Sequence, residues 1–172
     1  MSKVKIRALE PKDIDFLFEI ENDWDMWHLS HTQQPFSARL LQDYIANADR
    51  DIYEAKQFRF GIELIDNQQL IGFIDLFDFD PKNKRAGVGI VIHQKYRHQS
   101  YGKAALQLVI DYAFNILYLH QLYANIADDN LPSIRLFESF GFERTGIKKD
   151  WLFDGKNFKD ELLYQLINLS NN

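Results

Sequence analysis

The residues with the clearest chemical potential lie between Gly87 and Phe114. There the apolar run Val88-Gly89-Ile90-Val91-Ile92 gives way to Tyr96-Arg97-His98-Gln99-Ser100-Tyr101-Gly102-Lys103. The pattern predicts a strand, a basic turn and a helix start. Leu106, Val109, Ile110, Ala113 and Leu117 recur at the i, i+3, i+4 steps of one apolar helical face. The first turn of such a helix offers unpaired backbone N–H groups and the positive end of the helix dipole, and both favour an anion. Arg97 and Lys103 add formal positive charge, so the turn reads as a phosphate cradle; an ordinary capped helix is the plain alternative.

A second segment follows downstream. His120 to Ala127 reads as a strand, and Asp128 to Phe142 as a short helix with both ends marked. Asn130 suits the N-cap, Pro132 the first turn, and Gly141 the left-handed position that stops a helix.

In this order the two segments resemble the acyl-CoA signature of the GCN5-related N-acetyltransferases: Arg or Gln, two residues, Gly, one residue, then Gly or Ala. In an ungapped reading Arg97 takes the first position and Gly102 the last. Tyr96, Tyr101, Lys103, Ala105 and Leu106 are also family-like. Ser100 stands at the middle glycine, and His98 where a glycine is frequent. The shifted register Gln99, Gly102, Ala104 fits the bare pattern as well, but the ungapped one keeps the tyrosines and the following helix aligned. The pair ending in Gly141-Phe142 is similar to the family's strand and helix whose asparagine flanks the pantetheine arm.

The resemblance covers nearly the whole chain and implies one N-acetyltransferase domain over residues 1–172. It implies an α/β fold, with a mixed central sheet of about six or seven strands flanked by about four helices, acetyl-CoA as cosubstrate, and no metal. Cofactor contacts would come from Ile90, Val91, Ile92, Arg97, His98, Gln99, Ser100, Tyr101, Gly102, Lys103, Asn130, Ser133 and Phe137. The strands Arg85 to His93 and Gln121 to Ala127 would splay apart and expose backbone to the thioester. Gly87 and Gly89 suit a strand approached closely by another group, or a bulge.

The implied chemistry is acetyl transfer to a primary amine, which must lose a proton before it attacks. Many relatives carry a Glu on the strand before the phosphate turn, but Gly87 stands near that point. Many carry a Tyr acid where this chain has Phe137. Ser133 matches a serine assigned that role in ribosomal-protein acetyltransferases; hydrogen bonding to sulfur or a water relay suits it better, and bonding to backbone is the plain alternative. Asp75 and Asp78 read as sharing one strand face where an ammonium enters, or as ordinary solvent-facing residues. Asp160 and His31 are further candidates. The expectation is water-assisted deprotonation, with acidic side chains positioning the amine. The long stretch Asp23 to Phe36, with Trp27 and His31, reads as the acceptor-recognition segment, with packing of Trp24 and Trp27 as the alternative.

Within the family, the pattern is most similar to the bacterial spermidine acetyltransferases and the ribosomal N-terminal enzymes. The first likeness rests on Val4-Lys5-Ile6-Arg7, on Asp75 and Asp78 ahead of Arg85-Ala86, and on Asp111-Tyr112-Ala113-Phe114. Gln33-Gln34 stand where the spermidine enzymes carry paired glutamates that bind polyamine between subunits. The acceptor implied is a polyamine or small diamine such as spermidine. A protein N-terminus is the alternative substrate, and a non-catalytic acyl-CoA-binding regulator the alternative class. A homodimer or larger homo-oligomer is the implied assembly.

The remaining residues must build the scaffold that positions these groups. The chain has 172 residues, 46% hydrophobic and 15% aromatic, enough to bury roughly 70% of its unfolded surface as one domain. It has no Cys, which excludes disulfides, thiolate metal sites and a cysteine acyl-enzyme. A net charge of -5 argues against general nucleic-acid binding. The absence of a signal-like or membrane-length apolar run argues for a cytoplasmic location without a membrane partner. Strands are expected at Val4 to Leu9, Phe58 to Ile65, Gln69 to Phe79, Phe142 to Ile147 and Asn157 to Ile167, and helices at Asp13 to Asn22 and Ser37 to about Asp49. Hairpin turns are expected at Asp66-Asn67 and Asp154-Gly155.

Overall fold

The computed structural model describes residues 3–171. Seven strands, β1 (Val4–Arg7), β2 (Phe58–Leu64), β3 (Leu70–Asp80), β4 (Arg85–Ile92), β5 (Gln121–Ala127), β6 (Glu143–Phe153) and β7 (Phe158–Ile167), form one sheet. Their order is β1-β2-β3-β4-β5-β7-β6. β4 and β5 run parallel; every other neighbouring pair is antiparallel. Six α segments join them: α1 (Ile14–Glu21), α2 (Trp27–Ser30), α3 (Ala38–Ala46), α4 (Ile52–Ala55), α5 (Tyr101–Asn115) and α6 (Leu131–Glu138). α5 and α6 lie on the crossover from β4 through β5 to β6, and α5 bridges the parallel pair, as that connection requires.

The apolar spacing read in the sequence divides the helices between two cores. Ala105, Leu106, Val109 and Ala113 of α5 pack with Ile62, Ile74, Leu76 and Val88. Leu17 and Ile20 of α1 and Leu41 and Ile45 of α3 pack with Leu70 and Phe73. Period-two alternation along β3 directs Phe73 to one cluster and Ile74 to the other. Burying a Leu or Val fully, as at Leu106 and Val109, contributes about 1.5–3 kcal/mol each.

Four helices of eight or more residues match the expected number, and two one-turn helices add to them. The stretch Asp23 to Phe36 is less irregular than expected, because it contains a 3-10 turn (Trp24–Met26) and then α2. Asn22 ties its ends, donating to the Phe36 carbonyl at 3.0 Å and accepting the Phe36 N–H at 2.8 Å. α4 starts at Asp51, whose carboxylate accepts the Tyr53 N–H at 2.7 Å. Single turns are too short to show an apolar period, which is why neither stood out in the sequence. β1 ends at Arg7, paired with Gly61 and two residues earlier than expected, and the Arg7 side chain joins Asp13 and Glu63. β6 runs six residues beyond Ile147 because register shifts after Arg144 and Lys148 let it stay paired with β7. Among the described residues no helix is long and apolar enough to cross a membrane.

Candidate active site

β4 and β5 pair over only three positions, Arg85 with Gln121, Ala86 with Leu122 and Gly87 with Tyr123. Beyond them the two strands diverge, β4 still paired to β3 as far as Ile92 and β5 to β7 as far as Ala127. This is the splay that the resemblance implies. The small Gly102 at the start of α5 sits against Ile90, Ile92 and Leu136, so that α5 and α6 converge over the gap.

A cleft of about 430 Å³ runs from the start of α5 into the gap. It is lined by Ile90, Val91, Ile92, Arg97, His98, Ser100, Tyr101, Gly102, Lys103, Asn130 and Ser133, all expected cofactor contacts, and by Met26 and Leu29. Gln99 does not line it; its amide makes a long hydrogen bond to the Lys95 carbonyl at 3.4 Å. Arg97 donates to the Ile92 carbonyl at 2.9 Å and to Met26 Sδ at 2.9 Å, which holds the turn against both β4 and the segment before α2. Among the described residues no side chain caps α5, so its first-turn N–H groups remain for another acceptor. Those donors, the cations Arg97 and Lys103, and the apolar wall of Ile90, Ile92 and Leu136 fit a molecule with a pyrophosphate and an extended arm. His98 and Ser100 both have left-handed backbone, at φ 62° and 61°. These are the two positions where the resemblance expects glycine.

The cleft continues into a channel of about 130 Å³ between the splayed strands, lined by His28, His31, Gly89, Asn125, Asn130, Ser133, Phe137 and Glu161 among others. Asn130 caps α6 as expected, its Oδ1 accepting the Ser133 N–H at 3.3 Å. The Ser133 hydroxyl makes no hydrogen bond to another described residue, so the backbone-bonding alternative does not hold for it. Phe137 is buried edge-on against Phe142, with ring centroids 5.0 Å apart.

Beyond the channel lies a chamber of about 400 Å³ lined by His31, Tyr44, Arg59, Asp75, Phe77 and Gly89 among others. His31 and Gly89 line both spaces. Asp75 is engaged by Arg59, which donates from Nε at 2.7 Å and Nη2 at 3.0 Å and also bonds Glu21. Burial alone lowers the Arg59 pKa, but the charges of Asp75 and Glu21 outweigh it and hold the guanidinium well above its usual range. Asp75 is therefore the anchor of Arg59 rather than an unpaired acceptor carboxylate.

Asp78 departs from expectation in a different way. An unbroken strand puts residues three apart on opposite faces. Asp78 reaches the side of Asp75 because β3 carries one extra residue between Phe77 and Asp80, with Asp78 itself at φ 48°. It accepts the Tyr123 hydroxyl at 3.3 Å and does not line the chamber. Burial, then the Asp78 charge, push the Tyr123 phenol up to about 12. Trp27 is also away from the chamber: its Nε1 donates to the Glu21 carbonyl at 2.9 Å and its ring packs on Trp24 at 5.7 Å. Asp160 binds Lys149 at 2.7 Å and the Asp150 N–H at 3.0 Å. Its neighbour Glu161 points into the channel instead, as alternation along β7 dictates.

Glu161 was not singled out by the sequence. It is 5% exposed, its Oε1 accepts from Lys148 Nζ at 3.0 Å, and its Oε2 lies 3.9 Å from His31 Nε2. The one mark it carries in the sequence is its place at the end of the charged run Lys159-Asp160-Glu161, directly before Leu162. Arg59, Met26 and Leu29 carried no such mark.

The family model described as "Acetyltransferase (GNAT) domain" matches residues 3–143. The spermidine N(1)-acetyltransferase of Vibrio cholerae is 25% identical over 160 residues, 92% of this chain and 90% of that protein. YdaF of Bacillus subtilis, an inferred ribosomal N-acetyltransferase, is 31% identical over 170 residues, 95% of this chain and 91% of that protein. Among solved structures, the Vibrio cholerae spermidine N-acetyltransferase in complex with CoA and spermine aligns with a TM-score of 0.87 at 23% identity, covering 97% of this chain and 96% of that one. The same Vibrio enzyme is also described as a dodecamer.

Proposed function

This chain belongs to the GNAT family of acetyltransferases, and from that premise we propose that it transfers an acetyl group from acetyl-CoA to a small primary amine of the polyamine or diamine class, such as spermidine. The observation that carries the reading is the continuity of cleft, channel and chamber, in which Leu29, Ile90, Asn130 and Ser133 line the first two spaces and His31 and Gly89 the last two. Acetyl-CoA enters from the α5 side, its phosphates on the first-turn N–H groups with Arg97 and Lys103 nearby. The amine enters through the chamber, and the two meet in the channel. Positioning of this kind supplies much of the rate of a direct attack. Asp75 and Arg59 line the chamber and Glu21 backs the same guanidinium, so the cluster of two carboxylates and one cation carries net negative charge, which favours a cation.

The test is acetyl-CoA-dependent thiol release across spermidine, spermine, short diamines and N-terminal peptides. Turnover with the polyamines or diamines is the expected result, and CoA binding with no thiol release from any amine overturns the reading. A peptide acceptor is the second reading. It is favoured by a further hollow of about 410 Å³ that shares Tyr44, Gln57, Phe58 and Arg59 with the chamber and gives room for an extended chain. Assembly into a homo-oligomer goes with the first reading; Trp151, Phe153 and Phe158 expose an apolar face on the β6–β7 hairpin.

A further inference from the structure

We infer that His31, held over the buried carboxylate of Glu161, takes the proton from the acceptor ammonium, with Glu161 as the positioning residue behind it. The inference rests on the acetyl-transfer reading above. An alkylammonium ordinarily ionises near pKa ~10, so it reaches the thioester protonated and needs a base at that point. Among the described residues His31 contributes the one side chain that lines both channel and chamber, since the other shared residue is Gly89.

Its surroundings suit the task. His31 ends α2 in the left-handed region at φ 58°, a conformation that a non-glycine residue adopts at a cost. Lys148 occupies Oε1 of Glu161 and leaves Oε2 toward the imidazole. That carboxylate, 3.9 Å from Nε2, is the acidic group nearest the ring and orients it toward the channel. The other titratable groups facing this point are otherwise engaged. Asp75 holds Arg59, Lys148 holds Glu161, and burial pushes the Tyr44 phenol up so that it stays protonated. His28 lines the channel but not the chamber.

The step balances as follows. His31 accepts one N–H proton of the ammonium, and the freed lone pair forms the C–N bond to the thioester carbonyl carbon. The C–S bond breaks with its electron pair on sulfur. The remaining excess proton on nitrogen passes to sulfur, and His31 returns its own proton to solvent.

The experiment uses the full chain and His31→Gly, which fits the left-handed backbone and removes the ring without disturbing the core. With spermidine, kcat is expected to fall about 100-fold or more, with KM for acetyl-CoA unchanged, and added imidazole restores part of the rate. With 2,2,2-trifluoroethylamine, which is already neutral at the assay pH, the loss shrinks to a few-fold. Glu161→Gln lowers kcat in the same direction and is not rescued by imidazole, because the ring at 31 is still in place. A His31→Gly enzyme at the wild-type rate, or one whose loss neither imidazole nor the weakly basic amine relieves, overturns the inference and leaves the proposed function standing. A wild-type chain that acetylates no amine removes both.

Discussion

Gly87 lies under the ring of Phe77 so closely that a Cβ at position 87 would fall 2.3 Å from two of its ring carbons. The ring fills the space into which a side chain would project, near the point where many enzymes of the resemblance carry a glutamate. It also packs edge-on against Tyr123, at 5.8 Å. Gly89, two residues on, meets nothing closer than Phe77 at 3.8 Å and faces the channel and chamber. Gly87→Ala is expected to lower unfolding free energy by about 1–3 kcal/mol, the range for overpacking a well-filled site. Gly89→Ala leaves stability within about 0.5 kcal/mol and lowers kcat. Urea denaturation beside steady-state rates separates the two effects.

His98 and Ser100 hold left-handed backbone in the turn before α5 without a side-chain cap to offset it. The penalty for a non-glycine residue there is about 1–2 kcal/mol, and glycine loses some of that advantage through greater freedom when unfolded. Ser100→Gly and His98→Gly are each expected to stabilise by about 0.5–1 kcal/mol, which raises Tm by roughly 1–4 °C in a chain of this size. CoA affinity, read by calorimetry, rises with them, because the backbone approaches a phosphate without a Cβ in the way. A fall in both Tm and affinity would contradict this account.

Arg59 and Asp75 make a two-point ion pair, and Glu21 bonds the same guanidinium. Arg59→Met leaves two carboxylates without their cation. The loss expected is about 2–3 kcal/mol, below that of a fully buried pair because 22% of the Arg59 side chain and 27% of Asp75 reach solvent. Asp75→Asn is expected to destabilise in the same direction and by less. A variant that raises KM for the amine with unchanged stability would instead make Asp75 a direct acceptor contact.

Asp13 and Glu63 are buried around Arg7. Burial alone raises both carboxyl pKa values. The Arg7 bonds to Asp13 and the Lys5 and Arg7 bonds to Glu63 outweigh it and hold both below the usual carboxylate range. A depressed folded pKa contributes stability that is complete above the unfolded pKa and is lost as pH falls through the folded one. Unfolding free energy is therefore expected to be flat from neutral pH to about pH 5 and to fall steadily below about pH 4. In Arg7→Met stability at neutral pH drops, and the acid-side slope from this pair flattens or reverses. Urea midpoints across the pH range check both.

Much of the scaffold was legible in the chain. The 3.6-residue period of α5 and the alternation of β2 and β3 set those elements within a residue or two, because periodicity records which face is buried. Asn130 and Gly141 mark the ends of α6 through local backbone chemistry, and both occupy the expected roles, Gly141 at φ 83°. The basic turn before α5 was legible for the same reason, since its cations and the helix start are contiguous. Asp75 and Asp78 show where this stops. Their residue types were visible, but the partners Arg59 and Tyr123 and the inserted residue that turns Asp78 around were not.

What the sequence by itself determined are the seven strands and the four longer helices, apart from some of their ends, with the caps of α6 and the basic turn before α5. These follow from interactions between residues a few positions apart. The tertiary structure alone decided which carboxylates are already neutralised, that Gly87 is closed by Phe77 while Gly89 is open, and that His31 from an early helix end meets Glu161 from the last strand. Those outcomes depend on sheet order and register across the whole chain, and a shift of one residue sends a side chain to the opposite face.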